Sequence, residues 1–274
     1  MSGRLRGALL GVTAAGAATA ALEARPPGGA ARWERTNYAG RQVSLLGGLV
    51  QATATTAALL GAGRTGAAAA VATGTAGALG AVDDLTEREG DRHVKGLRGH
   101  LTALRQRQVT TGSLKIAGIG GGALLTALLL PARGTGRAAR LAERATGAAL
   151  VAGSANLLNL LDLRPGRALK ATCLAGAALS LAGGPGAPVA ATTLGTAAAG
   201  LRDDLGERTM LGDTGANALG AALGTALAAH PSRLLRGGAL TGIVALTLLS
   251  ERVSFSAVID RTPALRAVDQ WGRR

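Results

Sequence analysis

The sequence has very few large aromatic side chains: two Trp, one Tyr and one Phe among 274 residues. A soluble domain of this length normally fills its core with more of them, so the composition argues against that class. The single cysteine, Cys173, excludes an internal disulfide and leaves the redox compartment open. The three histidines, His93, His100 and His230, lack metal-ligand spacing, which argues against a histidine-based metal site.

Small residues and positive charge dominate instead. The chain contains 43 glycines, is 47% hydrophobic and has a mean hydropathy of +0.27. Small residues suit helices that pack backbone to backbone in lipid, although a soluble helical protein with an alanine-rich coding bias would share this composition. The net charge of +14 lies in short loops between apolar runs, without interleaved aromatics. This pattern favours a membrane topology and predicts no nucleic-acid partner.

Nine apolar runs follow one another along the chain, which predicts an all-α, polytopic integral membrane protein of about nine transmembrane helices. Residues 1–274 are expected to form a single membrane domain. Several runs approach the lower length limit for a bilayer core of about 30 Å, so a re-entrant segment is an alternative for one of them. The first run could also be a secretory signal. The runs are 8–22, 43–62, 65–82, 116–131, 145–161, 169–183, 187–201, 214–229 and 237–250.

Charge asymmetry predicts the orientation. If the charged loop 83–112 is cytoplasmic, most of the 30 Lys and Arg residues fall on the inner side, as the positive-inside rule requires. The same arrangement places every acidic residue except Glu143 inside. The N-terminus is then outside, and the tail 251–274 is cytoplasmic. The expected location is the plasma membrane, with a site that faces the cytoplasm. A short amphipathic helix is expected within the loop.

Polar residues recur at the ends of three runs. Asp83-Asp84 closes the third run, Asn156, Asn159 and Asp162 form a three-residue stripe at the end of the fifth, and Asp213 opens the eighth. A paired carboxylate can share a divalent cation, or one member can act as a base. The alternatives are a charged stop for Asp83-Asp84 and helix–helix hydrogen bonding for the asparagines.

Basic residues accompany these acids on the same side. They could hold phosphates or serve only as topology charges; they are Lys115, Arg164, Arg167 and Lys170. Carboxylates that bind a cation, with basic residues around them, are the parts that phosphoryl transfer at a diphosphate needs. Asp203-Asp204 is expected to be a solvated loop pair outside this group.

Taken in order, these segments resemble the motifs of the polyprenyl-phosphate N-acetylhexosamine-1-phosphate transferase family (glycosyltransferase family 4), which includes the phospho-N-acetylmuramoyl-pentapeptide transferase. The resemblance covers most of the chain. The segments that carry it are Val43-Ser-Leu-Leu-Gly47-Gly48-Leu49, Gly80-Ala-Val-Asp83-Asp84-Leu85, Thr111-Gly-Ser-Leu-Lys115, Asn156-Leu-Leu-Asn159-Leu-Leu-Asp162 and Leu211-Gly-Asp213-Thr-Gly215-Ala-Asn-Ala-Leu-Gly220.

The resemblance implies a magnesium-dependent enzyme of about ten helices. Such an enzyme transfers a sugar 1-phosphate from a UDP-sugar to a polyprenyl phosphate and releases UMP, in cell-envelope polysaccharide or peptidoglycan-type synthesis. Asp213 would bind Mg²⁺, and Asp83 and Asp84 would be catalytic residues that handle the lipid phosphate and its activation. Asp162 would be catalytic or contact the metal. The substrate-binding set would be Lys115, Asn156, Asn159, Arg164 and Arg167. The oligomeric state stays open, with a homodimer among the options.

The chain departs from the family pattern at two places. Pro165 stands where the family has a second aspartate, and the histidine-containing loop has no counterpart, since Glu251 to Ser256 stands in its place. A catalytically altered relative that binds polyprenyl phosphate or an envelope-assembly partner is therefore the alternative. A small-solute transporter is a third reading, but most of the polar groups cluster at one predicted surface instead of at mid-membrane.

Overall fold

A computed structural model describes residues 3–86 and 111–273, and the side chains of 111–116 lie outside the description. The described chain is mostly helical, with eleven α-helices and one small antiparallel hairpin. The helices are α1 Gly3–Ala24, α2 Leu46–Leu60, α3 Gly63–Thr86, α4 Thr111–Leu129, α5 Arg137–Leu161, α6 Arg167–Ala182, α7 Ala187–Leu205, α8 Gly212–Ala228, α9 Arg233–Ser250, α10 Phe255–Arg261 and α11 Pro263–Gln270.

Each of the nine apolar runs corresponds to one of the helices α1 to α9. Among the described residues, three helices are long and apolar enough to cross a membrane by themselves: Gly3–Ala24, Gly63–Thr86 and Arg233–Ser250. These candidate spans indicate a membrane protein. Most of the predicted loop 83–112, with its expected amphipathic helix, lies outside the described residues.

Helix α8 occupies the centre of the bundle. It packs against α2, α3, α5 and α7, and every residue from Thr214 to Ala226 is buried. This stretch carries no charged side chain, so neutral small groups fill the space between the surrounding helices. Helix α7 in turn packs against the outer helices α1 and α6.

Glycines allow the close approach to α8. A Cβ atom at Gly48 of α2 would lie 1.8 Å from the carbonyl oxygen of Leu211, and one at Gly80 of α3 would lie 2.4 Å from that of Asp213. On α8 itself, a Cβ at Gly220 would lie 2.4 Å from the carbonyl oxygen of Ser154. Backbone contacts of this kind are the small-residue packing that membrane helices use.

The sequence did not predict a two-stranded hairpin between α1 and α2, nor the two short tail helices α10 and α11. Strand β1 (Glu34–Thr36) pairs antiparallel with β2 (Gln42–Ser44), with Arg35 opposite Val43. Ser44 also forms a bridge to Thr209, in the loop before α8. Strands of three residues give no useful alternation, so periodicity could not reveal them. The hairpin lies at the N-terminal end of α8.

We expect Gly220→Ala to lower the thermal unfolding temperature in detergent, because the added methyl group overpacks the α5–α8 contact at a cost of about 1–3 kcal/mol. Gly121→Ala is the matched control, since a Cβ at Gly121 on α4 meets no described atom within 4 Å. That substitution should be neutral or slightly stabilising, because alanine favours helix more than glycine does. Equal unfolding temperatures for the two variants would contradict the close contact.

Candidate functional site

Three helix ends meet at one end of the bundle. Helix α8 runs antiparallel to both α3 and α5, because Gly80 lies against Asp213 while Gly220 lies against Ser154 and Gly224 against Leu150. The C-terminal ends of α3 and α5 therefore lie beside the N-terminal end of α8. This arrangement brings the predicted acids Asp84 and Asp162 to the N-terminal turn of α8, which carries Asp213, and we call this region the acidic end. Asp83 precedes Asp84 in the last turns of α3.

Asp84 holds the first turn of α8. Its Oδ1 accepts a hydrogen bond from the backbone N–H of Asp213 at 3.0 Å. Its Oδ2 accepts from the N–H of Thr214 at 2.9 Å and from its Oγ1 at 2.6 Å. A helix N-terminus has unpaired N–H groups and a partial positive charge, so a buried carboxylate is stabilised there. Asp84 thereby fixes the position of Asp213.

Asp162 follows the last turn of α5 and accepts a hydrogen bond from the backbone N–H of Gly212. Surrounding protein atoms desolvate its carboxylate, and this burial, together with repulsion from Asp204 and Asp84, raises the pKa of Asp162 well above its usual value. Gly212 adopts a φ of +56° between these acids. A Cβ there would lie 2.9 Å from both carboxylate oxygens of Asp84, so both geometry and conformation require glycine.

A cavity of about 230 Å³ opens next to Asp162. The hairpin forms one wall, and the loops after α5 and α7 form the others. The hairpin is tied to the loop after α7, because Asn37 Nδ2 donates to Glu207 Oε2 at 2.6 Å and Arg41 lies 3.3 Å from the same carboxylate. The cavity is lined by Thr36, Asn37, Tyr38, Val43, Asp162, Leu163, Arg164, Pro165, Asp204, Glu207, Thr209 and Met210.

Arg164 is the predicted phosphate-binding residue that the fold places at the cavity. Its guanidinium lies 4.0 Å from the centroid of the Tyr38 ring, a cation–π contact that orients the positive charge. Sequence reasoning missed Tyr38, Asn37 and Glu207 as cavity residues. A signal was present, since Tyr38 is the only tyrosine of the chain and lies in the polar stretch between two apolar runs.

Arg167 and Lys170 bind the C-terminal helix α11. Arg167 donates to both carboxylate oxygens of Asp269, from Nε at 2.7 Å and from Nη2 at 3.2 Å, and Nη1 donates to Ser256 Oγ at 2.9 Å. Lys170 Nζ donates to the carbonyl oxygens of Val268 at 3.0 Å and Asp269 at 2.7 Å. Both side chains are buried, and neither lines the cavity.

The remaining predicted residues lie at different distances from the cavity. Asn156 is exposed, and its Nδ2 donates to Thr247 Oγ1 of α9 at 3.4 Å, in line with the alternative of helix–helix hydrogen bonding. Asn159 and Asp83 are half-buried at the ends of α5 and α3. Lys115 lies in the first turns of α4, and its side chain is outside the described residues.

Asp204 corrects one prediction. The pair Asp203-Asp204 was expected to be a solvated loop pair, but both residues end helix α7 and Asp204 is buried. Its Oδ2 accepts a hydrogen bond from the backbone N–H of Gly166 at 2.5 Å, and the residue lines the cavity. Asp203 pairs with Arg208 at the surface, as expected for a solvated acid. Because the pair lies apart from the Asp162 and Asp213 motifs in the sequence, sequence reasoning did not place Asp204 at the same cavity as Asp162.

Within the described residues, no group of three or more His, Cys, Asp or Glu side chains converges to hold a metal ion. A cage built from protein ligands alone therefore does not fit there. Mg²⁺, however, is usually held by one or two carboxylates together with substrate phosphates and water. Asp213 follows Gly212 in the chain and Asp162 accepts the Gly212 N–H, so these are the two carboxylates that could serve in that second arrangement. A magnesium ion that arrives with a diphosphate is compatible with these residues.

No protein-family model matches the chain, and no curated protein matches its sequence at a significant level. The resemblance to the sugar-phosphate transferases therefore rests on the order of the short motifs in the sequence.

We expect a double-mutant cycle to detect the contact between Asp84 and Thr214. Asp84→Asn and Thr214→Val should each lower the free energy of unfolding measured by SDS titration, because each weakens the attachment of the α8 N-terminus. The double variant should lose less than the sum, with a coupling of about 0.5–3 kcal/mol. Strictly additive losses would show that the two side chains do not interact.

The attachment of α11 should depend on pH. Burial tends to raise the pKa of Asp269, but the hydrogen bonds and charges of Arg167 and Arg273 outweigh it and hold the pKa below its usual value. The ionised carboxylate therefore stabilises the docked tail above the ordinary aspartate pKa of about 3.9, and this contribution is lost as the pH falls through the folded pKa. Pepsin should cleave the α10–α11 segment faster as the pH falls from about 5 to about 2.

The control for this measurement is Asp260→Asn, an exposed acid on α10 that should leave the pH dependence unchanged. In Asp269→Asn the tail should already be cleaved fast at the upper end of the range. The same cleavage profile in all three proteins would contradict the role of Asp269.

Proposed function

We propose that the chain is a membrane-embedded phospho-glycosyl transferase, which moves a sugar 1-phosphate from a UDP-sugar to a polyprenyl phosphate and releases UMP. The observation that carries this proposal is the convergence of Asp84, Asp162 and Asp213 at one end of the bundle, beside a cavity that contains Arg164. Distant parts of the chain supply these residues, in the order in which the family motifs supply theirs. The product would serve cell-envelope synthesis.

The side chains of the cavity support a nucleotide-sugar donor, and its size suits one part of such a donor. At about 230 Å³ it is smaller than the roughly 300–1,000 Å³ of a pocket that encloses a whole drug-sized ligand, so it would take one part of the donor. Arg164 offers a cation to a phosphate, and the face of Tyr38 offers a surface for a planar or sugar ring. Asp162 and Asn37 could accept and donate hydrogen bonds to hydroxyl or base groups.

We assign different roles to the two members of the Asp83-Asp84 pair. Both oxygens of Asp84 are used by the first turn of α8, so Asp84 positions Asp213 and does not move a proton. Asp83, its half-buried neighbour, is then the carboxylate for the polyprenyl phosphate acceptor. Mg²⁺ would be held by Asp213 with the donor diphosphate, where it would neutralise charge on the phosphates.

The membrane setting completes the proposal. Nine helices match the nine apolar runs, and we propose that all nine lie in the plasma membrane, with the acidic end on the cytoplasmic side. The shorter helices would cross as members of a bundle whose neighbours bury their polar groups. The Lys and Arg asymmetry supports this orientation, with the N-terminus outside and the C-terminus in the cytoplasm.

Two observations favour the alternative of a catalytically altered relative that binds polyprenyl phosphate or an envelope-assembly partner. Pro165, in place of a family aspartate, lines the cavity beside Arg164. In addition, Asp269 pairs with Arg167, so the cavity has fewer positive charges available for phosphate than the sequence motifs predict. A protein that only binds the lipid phosphate would need Arg164 but not a full set of acids.

UMP release tests the two functions. Purified protein in detergent is incubated with Mg²⁺, undecaprenyl phosphate and a panel of UDP-sugars. A transferase should release UMP only when lipid and magnesium are both present, and Asp213→Asn should abolish the release without loss of folded protein. Asp260→Asn, an exposed acid outside the acidic end, should keep the wild-type rate. No release with any donor, together with saturable binding of undecaprenyl phosphate, would favour the lipid-binding relative.

A further inference from the structure

The C-terminal tail is attached to the helical body by its polar side. Asp269 of α11 is only 6% exposed, because it accepts hydrogen bonds from Arg167 and is paired with Arg273. Arg273 Nε also donates to the carbonyl oxygen of Pro165 at 2.9 Å. The tail was expected to be a polar cytoplasmic segment, and these contacts fix it against the first turn of α6.

The attachment point lies on the outward-facing side of α6. Arg167, Leu174 and Leu181 are spaced seven residues apart, so they share one stripe of the helix. Leu174 is 65% exposed and Leu181 is 80% exposed, so this stripe faces away from the bundle and, in a membrane, toward lipid. On this side of α6, helix α11 covers only the first turn. The tail helix therefore lies where a lipid-facing stripe ends.

Helix α11 has an apolar side of its own. Leu265, Val268 and Trp271 are 48%, 51% and 71% exposed, and at intervals of three residues they form a stripe that ends just after the helix. Leu265 lies one turn before Asp269, so this stripe borders the docked polar edge. A short helix with one polar edge and an exposed apolar side, ended by a tryptophan, has the pattern of an interfacial helix. Tryptophan is enriched at that depth because its ring is apolar and its N–H is polar.

The course of the chain agrees with this position. Helix α9, a candidate span, ends at Ser250, and α10 begins at Phe255 with only a short turn between them. The tail thus leaves the bundle at the end of a span. It continues along the surface, because α10 and α11 pack against each other and Asp269 reaches α6.

We propose that α11 lies in the lipid–water interface of the membrane that holds the bundle. Its polar edge is docked through Asp269 on Arg167 and Lys170, and Leu265, Val268 and Trp271 insert among the lipid head groups and upper acyl chains. The occupant of the apolar side is the bilayer itself. This proposal rests on the membrane character of the chain and not on the transferase activity. Because Arg273 contacts Pro165, the lipid-seated helix also supports the loop that borders the cavity.

Trp271 fluorescence tests the proposal. In the Trp33→Phe variant, Trp271 is the only tryptophan, and the protein is reconstituted in phosphatidylcholine vesicles. Lipids brominated near the head-group end of the acyl chain should quench Trp271 strongly, and aqueous iodide should quench it weakly. Trp271→Phe leaves only Trp33, which is 4% exposed, and should respond little to either quencher. Strong iodide quenching without bromolipid quenching would overturn the proposal.

A spin-label measurement keeps the test decisive if the Trp33 substitution impairs folding, because it leaves Trp33 intact. Trp271→Cys in a Cys173→Ser background carries one nitroxide, which should be more accessible to oxygen than to a water-soluble nickel chelate. Protection from both reagents would show that protein covers this side, as in a dimer of this chain, and would overturn the lipid assignment. Asp269→Asn should lower the oxygen preference by releasing the docked edge.

Discussion

The attachment of the α8 N-terminus to Asp84 is the interaction on which the acidic end depends. Helix α8 is buried along most of its length and has no charged side chain to anchor it from Thr214 onward. Its unpaired N–H groups need acceptors, and burial makes any that lack one costly. Asp84 accepts hydrogen bonds from the N–H groups of Asp213 and Thr214, and Asp162 accepts one from the N–H of Gly212. The same hydrogen bonds that complete the helix thus bring the acids together.

This solution places two constraints on the surrounding residues. Burial raises the pKa of Asp162, and repulsion from the neighbouring carboxylates Asp204 and Asp84 raises it further. Backbones must also approach closely for short carboxylate side chains to reach the helix end, and glycines at positions 48, 80 and 212 leave the space. The scarcity of aromatic residues and the abundance of glycine therefore have the same physical reason: the helices pack through close backbone contacts and not through large side chains.

The predicted phosphate-binding residues that follow α5 divide into two groups by their partners. Arg164 rests on Tyr38 at the cavity, whereas Arg167 and Lys170 are held by the C-terminal helix. Arg167 and Lys170 follow Arg164 by three and six residues, but only Arg164, which precedes the turn at Gly166, lines the cavity. Under the proposed function, only Arg164 is placed to meet a substrate phosphate. The others connect the cavity loop to the surface of the membrane bundle.

The sequence by itself determined the helical character, the order of the nine helices and the proximity of Asp84, Asp162 and Asp213. Apolar runs, glycine spacing and motif order are local signals, and antiparallel packing of successive runs brings their ends together. The hairpin, the burial of Asp204 and the partners of Arg167 emerged only from the tertiary structure. Each depends on residues far apart in the chain: Ser44 with Thr209, Gly166 with Asp204, and Arg167 with Asp269. The sequence specifies which side chains are charged, but the packing of the folded chain determines which opposite charge each of them contacts.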